Sequence, residues 1–292
     1  MEMDRNPDPD FDFLQNGSSK RHRLLRPACL SKIFIGVLAL VLFILLIVAL
    51  SSGKKKTVID ISNCLYPLGG RAPFGGHMEP EKRMTSKRCE KVFDEYIKDE
   101  NSQYWTDTEV TIRNARKYLL EGEDDSPTKY SAMVVFDIDE TVLSNLEEIS
   151  AAGYGRRNDE TWKKWVTEAR APAIPASLKF FKDLRKNGFS ISFLTGRHER
   201  DRKSTEKNLE ASGYGTKCTD EPPPLGELCY HKLILRKKDD HRDAIIYKSE
   251  ERGDLSKNFT IVASVGDQWS DLLGENRPIG VFKMPNPFYY IP

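Results

Sequence analysis

Three short clusters hold the side chains best suited to chemistry: Asp137-Ile138-Asp139-Glu140-Thr141, Thr195-Gly196-Arg197, and Gly266-Asp267 with Asp271 four residues on. Each follows an apolar run rich in β-branched or aromatic residues. Singly, each has a structural explanation: strands often end in Asp, Thr141 could cap a helix, and Gly266-Asp267 could be a turn. Taken in this order, they bring three acidic or hydroxyl clusters to one edge, with carboxylates in two of them. Crowded carboxylates repel and resist ionising together, so such a cluster calls for a cation. Hard oxygen ligands with open positions suit Mg²⁺, which keeps several waters and is commonly shared with a phosphate. A zinc site fails on spacing, because no histidine or cysteine pair stands near these positions at ligand separation.

For the clusters to meet, the elements carrying them must share one edge. After Pro127 the pattern alternates: strand Met133–Phe136, helix Ser177–Asn187 stopped at Gly188, strand Ser190–Leu194, helix Glu199–Ser212 stopped at Gly213. It continues with strand Leu233–Leu235, helix Asp240–Glu251, strand Thr260–Val265, helix Gln268–Leu273 and strand Ile279–Phe282. Alternation of this kind predicts an α/β fold with a parallel sheet and helices on both faces. Ligands of such sheets bind at the carboxyl ends of the strands, where the three clusters fall. Two amphipathic helices precede the sheet, one marked by Cys89, Val92, Phe93, Tyr96 and Ile97, the other by Val110, Ala115, Tyr118 and Leu119 before Gly122.

The whole chain has 292 residues, 39% apolar and 30% charged, which excludes wholesale disorder, collagen-like repeats and a polytopic membrane protein. With 45 basic against 44 acidic side chains it lacks the positive field that nonspecific nucleic-acid binding needs, so nucleic acid is not an expected partner. From Ile33 to Leu50 there are 18 consecutive apolar residues, roughly 27 Å as a helix and enough to cross a bilayer. The alternative is the apolar part of a cleaved signal peptide ending at Ala49-Leu50-Ser51, and secretion would follow. The longer run and the polar leader favour an uncleaved anchor. The basic residues Lys20, Arg21, Arg23, Arg26 and Lys32 outweigh Lys54, Lys55 and Lys56, which favours a cytosolic N-terminus and a lumenal or extracellular remainder.

The expected organisation is a disordered tail over 1–32, a signal anchor over 33–52, a Pro/Gly-rich stalk or entry loop over 53–80 and one domain over 81–292. Beyond the membrane lie Cys64, Cys89, Cys218 and Cys229, which admit three connectivities. Loop length alone favours Cys64 with Cys89 and Cys218 with Cys229; four buried thiols are the alternative. Cys29 is a weak candidate for palmitoylation and Asn258-Phe259-Thr260 for glycosylation.

The runs VVFDIDETVLSN, FLTGR, IIYKSEER with Lys248, and VGDQWSDL resemble the four motifs of the haloacid dehalogenase-like (HAD) phosphohydrolases. The terminal FKMPNPFYYIP resembles that of the plant class B acid phosphatases, subfamily IIIB, which include vegetative storage proteins. The resemblance spans about 63–292 and implies a Rossmann-like HAD fold. It implies Asp137 as nucleophile, forming an aspartyl-phosphate, and Asp139 as general acid and then base. It further implies Thr195, Lys248 and Arg197 at the substrate phosphate, and Mg²⁺ held by Asp137, the Asp139 carbonyl and Asp267, with Asp271 ordering a metal-bound water. For Arg197 a salt bridge to the following acidic helix is the competing role, and for Lys248 a solvated surface position, with Lys217, Lys232 and Lys237 in the same interval.

His198, His231 and His241 read as surface or supporting residues, since none stands in an RHG-type context. Trp162 and Trp165 read as packing around a small helical insertion, or as a rim of the cleft. That small insertion implies an open cleft with relaxed choice among phosphate monoesters. The expected protein is a Mg²⁺-dependent acid phosphatase, a single-pass type II membrane protein of the secretory pathway, with a homodimer admitted. The competing reading is a storage protein with little turnover. A transferase or pump-like use is disfavoured by Asp139 and the single membrane segment.

Overall fold

The computed structural model describes residues 87–121, 131–154, 158–220 and 222–291, all within the compact unit Val58–Pro292. The tail 1–32, the segment 33–52, the loop 53–80 and Cys64 lie outside the described residues. Among those residues no helix is long and apolar enough to cross a membrane.

Helices α1 (Lys87–Ile97) and α2 (Gln103–Leu120) come first, then β1 (Ala132–Phe136). A helical insertion follows, α3 (Leu146–Ala151), α4 (Asp159–Glu168) and α5 (Pro175–Lys186), before β2 (Ser190–His198), a 3-10 turn Glu199–Asp201 and α6 (Arg202–Ala211). The remainder is β3 (Thr216–Lys217), β4 (Cys229–Tyr230), β5 (Lys232–Arg236), α7 (Ala244–Leu255), β6 (Thr260–Gly266), α8 (Trp269–Leu272) and β7 (Gly280–Lys283).

Five of the strands form a sheet in the order β5-β2-β1-β6-β7, every pairing parallel, and β3 pairs with β4 separately. All five residues of β1 are buried, as a strand covered on both faces requires. Ala132, Val134 and Phe136 join a core with Phe180, Phe181 and Leu184 of α5 and Ile112 and Ala115 of α2. Met133 and Val135 join Leu194, Ile234, Tyr247 and Leu255 on the opposite side. From β1 the chain steps to β2, while from β6 it steps to β7 on the other flank. The carboxyl ends of β1 and β6 therefore face a topological switch point, where ligands of such sheets bind.

Two expected boundaries and one expected helix face shift for local reasons. β2 runs on to His198 because its pairing with β5 resumes at His198–Arg236 after an irregularity, so Thr195-Gly196-Arg197 lies inside the strand. α7 starts at Ala244 because the Asp240 carboxylate accepts the Arg242 N–H at 3.1 Å and its Nε at 2.9 Å, holding 240–243 as a turn. The buried stripe of α2 is Tyr104, Thr108, Ile112 and Ala115, whereas Val110 and Tyr118 are exposed. Thr108 hides its polarity by donating to Tyr104 O at 2.9 Å.

The expected Cys218–Cys229 disulfide is present, and Cys89 is disulfide-bonded as well.

Candidate active site

The register Phe136–Val265 lines up the ends of β1 and β6, and the Asp137 N–H donates to Val265 O at 3.0 Å. Beyond Asp137 the chain turns back: Ile138 O accepts from Val142 and Leu143 at 2.9 Å, and Glu140 takes a left-handed φ of 54°. This return keeps Asp139 over the same edge. Opposite, Gly266 lets α8 approach the strand end. A Cβ on Gly266 would lie 2.2 Å from Asp271 Cβ, a distance that excludes any side chain there.

Asp137, Asp267 and Asp271 are all buried, and each offers an oxygen within 4.8 Å of the others. Lys248 enters from α7, donating to Asp137 Oδ1 at 2.8 Å and also to Asp271 Oδ1. Lys248 is itself buried, so it is no surface lysine. Arg252, one turn on, donates to Asp271 O at 3.0 Å and Leu273 O at 2.6 Å, tying α8 to α7; burial lowers this guanidinium to about 10.

Lys248 touches two of the three carboxylates and Lys283 acts on Asp267 and Asp271 from farther off, which leaves three carboxylates against two ammonium groups. Burial raises Asp137 well above the usual carboxylate range; Lys248 opposes this, while Asp271, Asp267 and Asp139 add to it. Burial and then Asp271 push Asp267 up to about 6. Burial works against the charge on Lys248, but Asp137 and Asp271 more than offset it and hold it cationic. This all-oxygen donor set with surplus negative charge fits a divalent hard cation.

Asp139 is held by Arg197, whose Nη2 donates at 2.7 Å to Oδ1 and whose Nε lies 3.1 Å from both oxygens. Arg197 is buried and also donates to Thr205 Oγ1 at 3.3 Å. The expected salt bridge to the acidic helix is thus replaced by one to Asp139, 58 residues back. Thr195 is buried, and its Oγ1 accepts the Arg197 N–H at 3.1 Å.

Several residues at the site escaped sequence reasoning. Asn145 Nδ2 donates to Asp139 Oδ1 at 2.9 Å and Glu140 Oε2 at 3.2 Å, while Asn145 Oδ1 accepts Trp165 Nε1 at 2.7 Å. Trp165 is therefore buried packing with a polar task, and Trp162 lines the cleft. Glu140 is fully buried and accepts from Asn145 N at 2.6 Å and Tyr289 OH at 2.5 Å; burial first, then Asp139 and Asp267, push it up to about 8. Asp267 Oδ2 accepts Asn286 Nδ2 at 2.6 Å. The Pro285-Asn286-Pro287 bracket is the sequence signal for this contact, an amide held between two residues of fixed φ.

These groups open onto a cleft of about 730 Å³ with Asp137, Asp139 and Lys248 among its lining and Trp162, Arg200 and Tyr290 around them. His198 and His241 line the same cleft, whereas His231 stacks edge-on to Phe259 elsewhere.

The family model for the HAD superfamily, subfamily IIIB (acid phosphatase), matches residues 77–292. Acid phosphatase 1 of Solanum lycopersicum is 44% identical over 161 residues, which cover 54% of this chain and 58% of that protein. Vegetative storage protein 2 of Arabidopsis thaliana is 30% identical over 211 residues, 70% of this chain and 72% of the relative. Among solved structures, the class C acid phosphatase from Bacillus anthracis superposes with a TM-score of 0.55 at 21% identity, covering 69% of this chain and 85% of that one. At that identity the likeness is one of fold.

Proposed function

This chain belongs to the acid phosphatases of HAD subfamily IIIB, and on that premise we propose that it hydrolyses phosphate monoesters with Mg²⁺ through an aspartyl-phosphate on Asp137. The observation that carries this reading is the setting of the Asp137 carboxylate. It contacts Lys248, shares a 4.8 Å cluster with Asp267 and Asp271, and opens onto the cleft beside Asp139.

In the proposed cycle Asp137 attacks phosphorus, a new P–O bond forms to its carboxylate, and the ester P–O bond breaks. Asp139 gives its proton to the departing ester oxygen, then takes one from the water that attacks phosphorus, and inorganic phosphate leaves with the Asp137 carboxylate restored. Arg197 and Asn145 hold Asp139 in place for both transfers. Thr195 Oγ1 and Lys248 Nζ provide donors for the phosphoryl oxygens, whose charge is the main demand of phosphoryl transfer. Asp137, Asp267 and the Asp139 carbonyl would hold Mg²⁺, with Asp271 beside it, and the ion would neutralise phosphoryl charge when bound.

A cleft of about 730 Å³ supports bulky leaving groups and a relaxed preference. The intact carboxylate at Asp137 favours turnover over a storage role. We further propose that residues 33–52 anchor the chain as a type II membrane protein of the secretory pathway, its catalytic domain lumenal or extracellular; the apolar run and flanking charges support this. Cys218–Cys229 suits that oxidising side.

The test is phosphate release from an aryl phosphate by the full-length protein. Release is expected with Mg²⁺, and its loss with chelator and in Asp137→Asn. Undiminished release in Asp137→Asn would refute the nucleophile assignment.

A further inference from the structure

The C-terminal segment 284–291 lies outside the α/β repeat, yet it touches the carboxylate cluster. Asp267 Oδ2 accepts two amide N–H groups, Asn286 Nδ2 and Gln268 Nε2, each at 2.6 Å. The other oxygen, Oδ1, has Thr141 Oγ1 at 3.5 Å as its hydrogen-bond partner among the described residues. Both amides are themselves aimed by the C-terminal segment. Asn286 Oδ1 accepts the N–H of Phe288 at 3.0 Å and of Tyr289 at 3.4 Å, and Gln268 Oε1 accepts the Ile291 N–H at 2.9 Å. A carboxamide whose oxygen is engaged on one side must present its nitrogen on the other.

The segment is seated by Phe288, which is wholly buried. Its ring centroid lies 5.5 Å from that of Phe93 on α1, 6.0 Å from Tyr104 on α2 and 5.6 Å from Tyr154 after α3. Tyr289 adds the bond to Glu140 at 2.5 Å.

We propose that Asn286, acting through Asp267, is a positioning residue for the divalent cation. Two oriented amides saturate Oδ2 and leave Oδ1 for the cluster with Asp137 and Asp271. The affinity of the metal site is thereby set from the C-terminal segment and from the α1/α2 pair that grips Phe288. This rests on the metal-dependent reading above. Partners one step removed from a metal commonly change its affinity 10–100-fold when lost.

The experiment is calorimetric titration of Mg²⁺ into the full-length protein in detergent, without substrate. Wild type is expected to bind one Mg²⁺. Asn286→Leu, with the same branching but without the amide, is expected to bind roughly 10–100-fold more weakly while still unfolding cooperatively in chelator. Phe288→Ala, which touches no carboxylate, should weaken Mg²⁺ in the same direction. In Asn286→Leu kcat should recover as Mg²⁺ is raised to saturation, which damaged folding would not allow. Gln268→Leu removes the second amide and gives the same reading if Asn286→Leu fails to fold. Wild-type affinity in the amide variants would overturn the proposal alone. A wild type that binds no Mg²⁺ and hydrolyses esters in chelator would overturn the metal reading, and this proposal with it.

Discussion

Lys248 Nζ donates to Asp137 Oδ1 at 2.8 Å across 111 residues of sequence, and the same ammonium reaches Asp271 Oδ1. One side chain from α7 therefore joins the end of β1 to α8. Its loss would leave buried carboxylates facing one another without their counter-charge.

Lys248→Met is accordingly expected to lower kcat/KM about 10²–10³-fold, the scale for removing one preorganised charge from a reacting centre. Breaking a buried pair on one side also costs about 3–5 kcal/mol, read as a lower melting temperature in chelator. Lys248→Arg should not rescue activity, because a planar fork does not replace a compact ammonium between two carboxylates. Near-wild-type turnover in Lys248→Met would remove this residue from the mechanism.

Asp139→Asn separates proton transfer from phosphoryl transfer. Alkyl esters, whose leaving groups need a proton, should slow by roughly 10²–10⁴-fold, the range for general acid catalysis. Activated aryl esters should slow far less. Equal losses on both substrate types would show that Asp139 is not the acid.

Much of this arrangement was legible because it is local. The apolar runs of β1, β2 and β6, buried on both faces of the sheet where they approach its carboxyl edge, end in the acidic and hydroxyl residues that gather at that edge. What was missed joins distant residues: Tyr289 with Glu140 at a separation of 149, and Arg197 with Asp139 at 58. No spacing rule could link Asn286 to Asp267, since the pairing depends on how the C-terminal segment crosses the sheet edge. The stripe of α2 misled for a related reason. Its buried face includes Thr108 and Tyr104 and leaves Tyr118 out, a choice set by packing against the segment and the sheet.

The raised carboxyls give a pH dependence of definite sign. Glu140 moves from 4.5 to about 8 and Asp267 from 3.8 to about 6, both chiefly by burial. Each binds its proton more tightly folded than unfolded, so its stabilising contribution is complete below the unfolded value and is lost as pH rises through about 6 and about 8. The metal-free melting temperature should therefore fall over that interval. Mg²⁺ competes with the Asp267 proton, so its stabilising shift should grow as pH rises through about 6. Thermal unfolding in chelator and in Mg²⁺ at constant ionic strength reads both; a metal-free curve that rises with pH would contradict the assignment.

The Cys218–Cys229 bond closes a short loop, with a sequence separation of 11. Loop-closure entropy gives about 3 kcal/mol for a loop of this size. The Cys218→Ser/Cys229→Ser double variant should lose roughly that amount in denaturant unfolding while keeping its kcat. An unchanged midpoint would show that the bond contributes nothing to the folded state.

The most direct test of the central claim is chemical trapping of the phosphoryl group on residue 137. Full-length protein would be mixed with an aryl phosphate and Mg²⁺, quenched with borohydride, and mapped by peptide mass spectrometry. Reduction of the acyl phosphate should convert Asp137 alone to its alcohol, with no such product from Asp137→Asn. Trapping at a different side chain, or phosphate release by Asp137→Asn at the wild-type rate, would contradict the account.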